Sequence, residues 1–368
     1  MLFEHYYTIS AVEMIPIPHD RRSGAVTIAT RSIARSGQRI GTLGFGAASL
    51  GNLYHEITDA DAVATVEAAL AVGITYFDTA PHYGFGLSER RLGDVLRGRL
   101  DIMLSTKVGR LLRPLRDHHG TAQRQGFCTP MPFEPFFDYS HDAILRSHEQ
   151  SLQRLGLARI DIVYVHDIGA LTHGDGHTET FAQLTAGGGF RALERLKSEG
   201  TIGAFGLGVN EWQVCMEAIQ HADLDVVLLA GRYTLLEQGA LDVFLPACVK
   251  RDIAVVIGGA YNSGILATGT RRGTAHFDYA PAPTPIVERV ARIEDVCDRH
   301  RVTLAAAALQ FPLAHPSVVS VIPGIGKPDR VRQTLALHEE AIPGDFWAEL
   351  QAEGLLRADA PVPVEATE

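Results

Sequence analysis

The sequence has few cysteines, and they lie far apart. Only four occur among 368 residues, and no two of them form a CxxC pattern. Paired cysteines at that spacing build structural zinc sites and redox motifs, so neither kind of site is predicted. Reduced thiols, as in the cytoplasm, are the expected state of these residues, which are Cys128, Cys215, Cys248 and Cys297.

Long apolar stretches and basic clusters are also missing. No run approaches the ~18 apolar residues that a membrane-spanning helix needs, so no membrane partner is expected. Residues 1–18 contain no basic segment followed by an apolar one, so no secretory signal is predicted and the expected location is cytoplasmic. The formal net charge of −10 argues against a nucleic-acid partner, because phosphate binding needs clustered lysine and arginine.

The sequence does contain a regular alternation of strand-like and helix-like segments. Thr58 and Asp61 suit a helix start, apolar residues then recur at helical spacing, and Gly73 suits the helix end. The same order recurs and gives strand candidates at 41–46, 73–77, 102–105, 160–165, 202–209, 224–229, 253–257 and 318–322. Alternating elements predict an α/β fold, and eight such units close into a (β/α)8 TIM barrel.

This interpretation divides the chain into three parts. Residues 1–36 are expected to form an N-terminal extension with a hairpin that closes the bottom of the barrel, residues 37–345 the barrel, and residues 346–368 a C-terminal tail. The connections 108–139 and 167–190 are long, and both leave the carboxyl ends of strands. Loops of this length are usually functional, so we expect them to cover a pocket.

Four chemically reactive side chains stand at or near strand ends. Asp78 follows an apolar run, Tyr83 lies five residues later, and Lys107 and His166 each follow another apolar run. In (β/α)8 barrels the active site lies at the carboxyl ends of the strands. The four side chains are therefore expected to meet on one rim.

Together these side chains suit proton transfer to or from an oxygen. A tyrosine has a pKa of about 10, and a nearby cation lowers it. Lys107 can be that cation, Asp78 can hold it, and His166 can hydrogen-bond to a substrate oxygen. Singly, a buried tyrosine or a strand-end aspartate is more often structural. The four together predict general acid–base chemistry at a carbonyl or carbinol carbon.

These motifs resemble the aldo-keto reductase superfamily over roughly residues 34–345. The resemblance rests on the runs 76–84, 105–107, 151–157, 233–236 and 321–324. It implies a (β/α)8 barrel that binds a nicotinamide cofactor without a Rossmann domain. It also implies that Tyr83 is the general acid/base, that Lys107 and Asp78 tune it, and that His166 orients the substrate.

The same resemblance implies a set of cofactor-binding residues. Gly46 would let the backbone approach the cofactor, Asn210 stands where relatives carry a Ser-Asn pair, and Tyr233 would stack on the nicotinamide. The last strand-to-helix turn would bind phosphate, since a helix N-terminus attracts anions, through Gly324, Gly326, Lys327 and Arg330.

The choice between NAD and NADP is expected to depend on that turn. NADP-preferring relatives usually carry a lysine where this chain has Gly324, and Asp329 adds a negative charge where a 2′-phosphate would lie. Charge complementarity therefore favours NAD, with NADP as the alternative.

Four stretches, at 137–140, 166–167, 208–212 and 230–238, are similar to one branch of the family. That branch contains NAD-dependent aldose (L-fucose, D-threo-aldose) dehydrogenases and pyridoxal 4-dehydrogenases. The similarity implies oxidation of the C1 hemiacetal hydroxyl of an aldose to a lactone. The alternatives are oxidation of pyridoxal to 4-pyridoxolactone, or a general NADPH-dependent aldehyde and ketone reductase. Tyr54, His82 and Trp212 are the candidate substrate residues, and Trp212 suits packing at a helix start equally well.

Two other classes of protein fit parts of the sequence less well. A binding or regulatory protein with this fold would not need all four rim residues. A metal-dependent barrel hydrolase could use Asp117, His118 and His119, or His173 and His177, but barrel metal ligands normally stand on strand ends and these lie in loops. No metal site is therefore predicted, and the oligomeric state is not specified by the sequence.

Overall fold

The computed structural model describes residues 28–116, 123–271 and 275–364. Eight parallel strands form one sheet in the order in which they occur along the chain. They are β1 (Phe45–Gly46), β2 (Tyr76–Asp78), β3 (Met103–Val108), β4 (Ile162–His166), β5 (Ala204–Val209), β6 (Val226–Ala230), β7 (Ala254–Gly258) and β8 (Val318–Ile322). Parallel bridges from Leu43 to Val321 and from Gly46 to Gly324 join the first strand to the last. The predicted (β/α)8 barrel is confirmed.

Helices surround the sheet because each carries apolar residues on the face turned towards it. The principal ones are Asp59–Ala71, Leu87–Leu96, His141–Leu155, Gly189–Ser198, Gln213–Ala218, Phe244–Arg251, Thr284–His300, Leu304–Gln310, Pro328–Glu339 and Gly344–Ala352. Thr58 caps the first of them, its side chain accepting a hydrogen bond from the Asp61 backbone. The large core therefore lies between sheet and helices.

A smaller core fills the barrel interior, and an N-terminal hairpin closes its bottom. The hairpin pairs Thr30–Ile33 with Gln38–Gly41, and Ile33 and Ile40 pack into the interior cluster. Arg31 fastens the hairpin by donating to the carbonyls of Leu313 and Val318 at 2.7 and 2.6 Å. The expected hairpin is present, but its second strand, Gln38–Gly41, lies wholly within the range 37–345 that we had assigned to the barrel.

The C-terminal segment differs from the expected tail. Helix Gly344–Ala352 buries Phe346, Trp347 and Leu350 completely, and Leu355 and Leu356 are also buried. These side chains recur at helical spacing, and burying them stabilises the segment against the barrel. Residues 346–356 are therefore part of the packed structure.

Three loop structures stand over the carboxyl ends of the strands. In the first long connection, Arg110–Pro114 pairs antiparallel with Phe133–Phe137. The second contains the helices Ala170–His173 and His177–Leu184. A third cover, which the sequence did not predict, is a small hairpin between His276–Phe277 and Ala280–Pro281. These loops form the walls of the site described below.

One close helix contact gives a test of the packing. Gly93 lies inside helix Leu87–Leu96, and a Cβ there would overlap the backbone of Leu155. Alanine normally stabilises a helix relative to glycine, but here we expect Gly93→Ala to lower the free energy of unfolding by about 1–3 kcal/mol, measured by urea denaturation. Gly176→Ala is the control, because nothing lies within 4 Å of that Cβ; equal losses in both variants would contradict the packing.

Candidate active site

Tyr83, Lys107 and Asp78 meet at the carboxyl end of the barrel. Lys107 Nζ donates to Asp78 Oδ2 at 2.6 Å, to the Thr79 carbonyl at 2.9 Å and to the Tyr83 hydroxyl at 3.2 Å. These three acceptors match the three donors of an ammonium group. Lys107 and Asp78 are each only 2% exposed. The structure therefore brings together three of the four predicted rim residues in direct contact.

A hydrogen-bonded network inside the barrel holds Asp78 in place. The Ser105 hydroxyl donates to Asp78 Oδ1 at 2.7 Å. Ser105 Oγ lies 3.1 Å from the Tyr76 hydroxyl, which lies 3.1 Å from the Tyr164 hydroxyl. All four residues are buried. The carboxylate is thus fixed from below while its other oxygen binds the lysine.

Two imidazole rings lie at the same end of the barrel. The ring centroid of His166 is 6.1 Å from that of Tyr83 and 6.0 Å from that of His82. The Nδ1 atoms of both histidines are buried and have no hydrogen-bond partner among the described residues. Leaving a buried polar atom unpaired costs free energy, so the two imidazoles are held at this end of the barrel at a cost to stability.

The electrostatics of Tyr83 differ from the sequence expectation. Burial raises the pKa of Tyr83 above its ordinary value, although the Lys107 ammonium opposes the rise. Burial lowers the pKa of Lys107, but Asp78 and Tyr83 outweigh it and the net pKa is raised. Lys107 is therefore charged and the phenol protonated near neutral pH, whereas we had expected the cation to dominate and lower the pKa of Tyr83.

Both imidazoles are neutral near pH 7. Burial lowers the pKa of His166 well below its usual value, and Arg110 and Lys107 act in the same direction. Burial and then the same two cations lower the pKa of His82 to about 3. Each ring therefore presents one donor and one acceptor nitrogen.

A cavity of about 280 Å³ opens beside these groups. Its lining includes most of the predicted catalytic and substrate residues, namely Tyr54, His82, Tyr83, Lys107 and His166, together with the predicted cofactor residue Asn210. It also includes residues that the sequence analysis missed, namely Arg110, Gln125, Phe127, Asp167 and Tyr279. Arg110 and Asp167 stand directly after strand ends, which was a usable signal; the other three come from loops without periodicity.

Two further cavities extend this one into a groove. A cavity of about 320 Å³ shares Tyr54 and Asn210 with the first. A cavity of about 450 Å³ shares Gly324 with the second. The far cavity is lined by the remaining predicted phosphate-binding residues, which are Gly326, Lys327 and Arg330. The predicted catalytic and phosphate-binding residues thus lie at opposite ends of one groove.

The far end of the groove fits the phosphates of a dinucleotide. Helix Pro328–Glu339 begins there with Lys327 as its N-cap, and a helix of this length attracts anions at its start. A Cβ on Gly326 would lie 3.1 Å from Ser49 Cβ, so glycine keeps this cradle open. Gly324, Gly326, Lys327 and Arg330 are therefore placed to hold such a cofactor.

The two residues after β5, Asn210 and Glu211, have different partners. Asn210 lines the groove, and its Nδ2 donates to Asp167 Oδ1 at 3.2 Å. Glu211 Oε1 instead accepts a hydrogen bond from the Leu171 backbone at 2.7 Å. Of these two residues, only Asn210 lines the groove.

Three predicted residues have other surroundings. Tyr233 is fully buried, with its ring against Phe311 and His315, because the turn at Gly231, with a φ of 67°, directs its neighbour into the groove instead. The predicted stacking role for Tyr233 is not supported. Trp212, like Tyr233, is absent from the lining of the three cavities and packs against the core.

Gly46 lies where β1 meets β8 and, like Tyr233 and Trp212, does not line the three cavities. A Cβ on this residue would lie 2.9 Å from the carbonyl oxygen of Ile322. Glycine is therefore needed for β1 to approach β8, and not for the reason that the sequence suggested.

The candidate metal ligands are engaged with other groups where they are described. His173 Nε2 lies 3.1 Å from the Tyr139 hydroxyl, and His177 Nε2 lies 3.0 Å from Glu217 Oε2. Residues 117–119 lie outside the described part of the chain. Within that part, no three His, Cys, Asp or Glu side chains form a possible metal site, and no helix is long and apolar enough to cross a membrane.

The low pKa of His82 predicts how stability depends on pH. In the unfolded chain this histidine takes up a proton below about 6.5, and in the folded protein only near 3. Between these values the unfolded state binds more protons, so stability falls as pH falls. We measure the free energy of unfolding by urea denaturation between pH 8 and 4.5 and expect His82→Asn to reduce its pH dependence by nearly one proton. If the pH dependence of the variant is unchanged, the lowered pKa of His82 is contradicted.

Comparison with known proteins identifies the family of this chain. The model of the Aldo/keto reductase family matches residues 42–353. The chain is 47% identical to pyridoxal 4-dehydrogenase of Microbacterium luteolum, over 89% of this chain and 97% of that protein. It is 40% identical to D-threo-aldose 1-dehydrogenase of a Pseudomonas species, over 86% of this chain and 95% of that protein.

A solved structure shows the same architecture. An aldo-keto reductase from Bacillus halodurans in its holo form superposes with a TM-score of 0.69 and 26% identity, covering 93% of this chain and all of the other. The family model and the two enzymes cover most of this chain's length. The chain belongs to the aldo/keto reductase family and is an oxidoreductase of the kind that uses NAD(P)H.

Proposed function

We propose that this protein is an NAD(P)-dependent dehydrogenase that oxidises the hydroxyl of a cyclic hemiacetal to a lactone. The observation that carries the proposal is the contact of Lys107 with both Asp78 and Tyr83, beside His166, at one end of the groove that the three cavities form. The two relatives named above support the hemiacetal, since pyridoxal and aldoses both exist in water as cyclic hemiacetals.

Each of the four residues has a task in this reaction. Tyr83 takes the proton of the substrate hydroxyl as the carbon–oxygen double bond forms. Lys107 stabilises the phenolate form of Tyr83 that accepts this proton, and Asp78 keeps Lys107 charged and oriented. His166, as a neutral donor, binds the same substrate oxygen. A bound nicotinamide supplies the acceptor for the hydride that leaves the carbon.

Within this class we propose pyridoxal as the substrate. Phe127, His82 and Tyr54 give the cavity aromatic walls that suit a pyridine ring, and the 47% identical relative carries that name. An aldose is the second candidate, because Arg110, Gln125, Asp167 and Asn210 add hydrogen-bonding groups to the same cavity and the 40% identical relative acts on D-threo-aldose by its name. Our sequence analysis favoured the aldose.

The protonated state of Tyr83 bears on the direction of reaction. A phenol whose pKa is raised must lose its proton before it can act as a base. Oxidation is therefore expected to speed up as pH rises above neutral, whereas reduction is favoured at lower pH where the phenol is an acid.

The phenol gives the first test of this proposal. Tyr83→Phe removes the acid/base and leaves the ring, so we expect kcat for pyridoxal or an aldose to fall about 10²- to 10⁴-fold while cofactor affinity, measured by titration, changes little. The natural sequence is screened with NAD and NADP against pyridoxal, L-fucose, D-arabinose and L-galactose. Near-normal turnover by Tyr83→Phe would overturn the role. A preference for NADPH with simple aldehydes would instead support a general reductase.

We also propose that NAD is preferred over NADP, on the grounds of Gly324 and Asp329 given above. Lys327 and Arg330 line the far cavity and serve the phosphates of either cofactor. Lys327→Ala and Arg330→Ala are each expected to weaken cofactor binding about 2- to 5-fold, and Asp329→Asn to narrow the preference for NAD.

Cofactor titration measures these effects. Arg332→Ala is the matched control, because Arg332 is exposed on the same helix but absent from the cavity lining. If the unmutated protein binds NADPH more tightly than NADH, the proposed preference is refuted. If Arg332→Ala loses as much cofactor affinity as Lys327→Ala and Arg330→Ala, the local roles of Lys327 and Arg330 are refuted.

A further inference from the structure

Arg110 lines the catalytic cavity and keeps donor capacity for a ligand. Its Nη2 lies 2.9 Å from Asp167 Oδ2, and its guanidinium carbon lies 4.7 Å from the ring centroid of Phe137. Its Nε is inaccessible, but the side chain lines the cavity and is 14% exposed, so the terminal nitrogens are the ones available to a ligand. A guanidinium carries five N–H donors in a fixed fork. Arg110 is therefore a rigidly held cation that can still donate to a substrate.

Asp167 holds this guanidinium in a fixed position. Its side chain is 11% exposed, Oδ2 faces Arg110, and Oδ1 accepts from Asn210. Its backbone lies in the left-handed region, with a φ of 49°, and its N–H donates to the Gly208 carbonyl at 3.0 Å. A non-glycine residue in this region is strained and is often found at functional sites. The surroundings of Asp167 thus fix the carboxylate that orients Arg110.

The other candidates for a cation in this cavity are either engaged with protein groups or uncharged. Lys107 donates its three hydrogen bonds to Asp78, Thr79 and Tyr83. His82 and His166 carry no charge near pH 7. Among the described residues that line the cavity, Arg110 is therefore the partly exposed cation that can donate to an anionic group of a substrate.

We infer that Arg110 determines specificity by binding an anionic oxygen on the ring carbon next to the reacting substituent, and that Asp167 is a positioning residue for it. This inference rests on the proposed function. In pyridoxal the carbon next to the one that bears the aldehyde carries a phenolic oxygen, which is ionised while the ring nitrogen is protonated. The corresponding hydroxyl of an aldose is neutral, and a hydrogen bond between two charged groups is the stronger.

The test removes each partner of this contact in turn. We compare kcat/KM for pyridoxal and for 3-deoxypyridoxal, which lacks the phenolic oxygen, in the natural sequence and in Arg110→Met. The natural sequence is expected to favour pyridoxal about 10- to 100-fold, and Arg110→Met to lose that preference with pyridoxal alone slowed by the same factor. Arg110→Lys keeps the charge without the fork and is expected to be intermediate.

Binding and control variants complete the experiment. Calorimetry with 4-pyridoxolactone and its 3-deoxy analogue should show the same discrimination without turnover. Asp167→Asn is expected to reduce the pyridoxal preference in the natural background and to have no further effect on it in Arg110→Met. Arg113→Met, in the same strand but exposed and paired with Glu134, should leave the preference unchanged.

The possible failures are distinguishable. If the natural sequence oxidises no cyclic hemiacetal, the proposed function fails. If it oxidises only aldoses, or if Arg110→Met slows pyridoxal and 3-deoxypyridoxal equally while the thermal midpoint is retained, the proposed function stands and the role of Arg110 is overturned.

Discussion

The buried ion pair of Lys107 and Asp78 is the constraint around which the site is built. Removing two charges from water is costly, and only good geometry with further hydrogen bonds offsets that cost. The fold provides both. The Thr79 carbonyl and the Tyr83 hydroxyl accept the remaining hydrogen bonds of the lysine, and the Ser105 hydroxyl donates to the second carboxylate oxygen. A residue that only stabilised the barrel would not need so many partners, so the arrangement is better explained by the chemistry of Tyr83.

The closed barrel is what makes this geometry possible. Asp78 and Lys107 stand on the neighbouring strands β2 and β3, and the Ser105 hydroxyl bridges the same two strands. On β5, a Cβ at Gly208 would lie 3.4 Å from Lys107 Cε and 3.1 Å from Tyr164 Cβ. Glycine at that position leaves space for the lysine side chain to extend up the barrel. The packing of the barrel interior and the placement of the catalytic side chains therefore depend on the same residues.

Much of this could be predicted from the sequence, since periodicity gives the order of strands and helices. All eight strands were placed to within a few residues, and the rim position of Asp78, Lys107 and His166 followed from that order. What periodicity does not give is the direction of the chain after a strand ends. Tyr233 was expected in the groove, but the turn at Gly231 puts Arg232 there instead.

The electrostatics could not be obtained from residue identities either. Lys107 next to Tyr83 suggested a lowered phenol pKa, but the balance depends on burial, which only the packed structure fixes. Arg110 and Asp167 were missed for a related reason. Both stand directly after strand ends, yet their pairing depends on the path of a long loop and on an unusual backbone conformation at Asp167.

The two ends of the groove use positive charge in different ways. At the far end, Lys327 and Arg330 are exposed at a helix start, where they attract an anion from solution. At the catalytic end, Lys107 and Arg110 are each matched by a buried carboxylate, and burial, reinforced by these two cations, lowers the pKa of the neighbouring imidazoles. Because the catalytic end contains paired charges, it can distinguish substrates by where their own charges lie. On the proposals made above, the far end of the groove provides affinity for the cofactor, and the loop that carries Arg110 provides the choice of substrate.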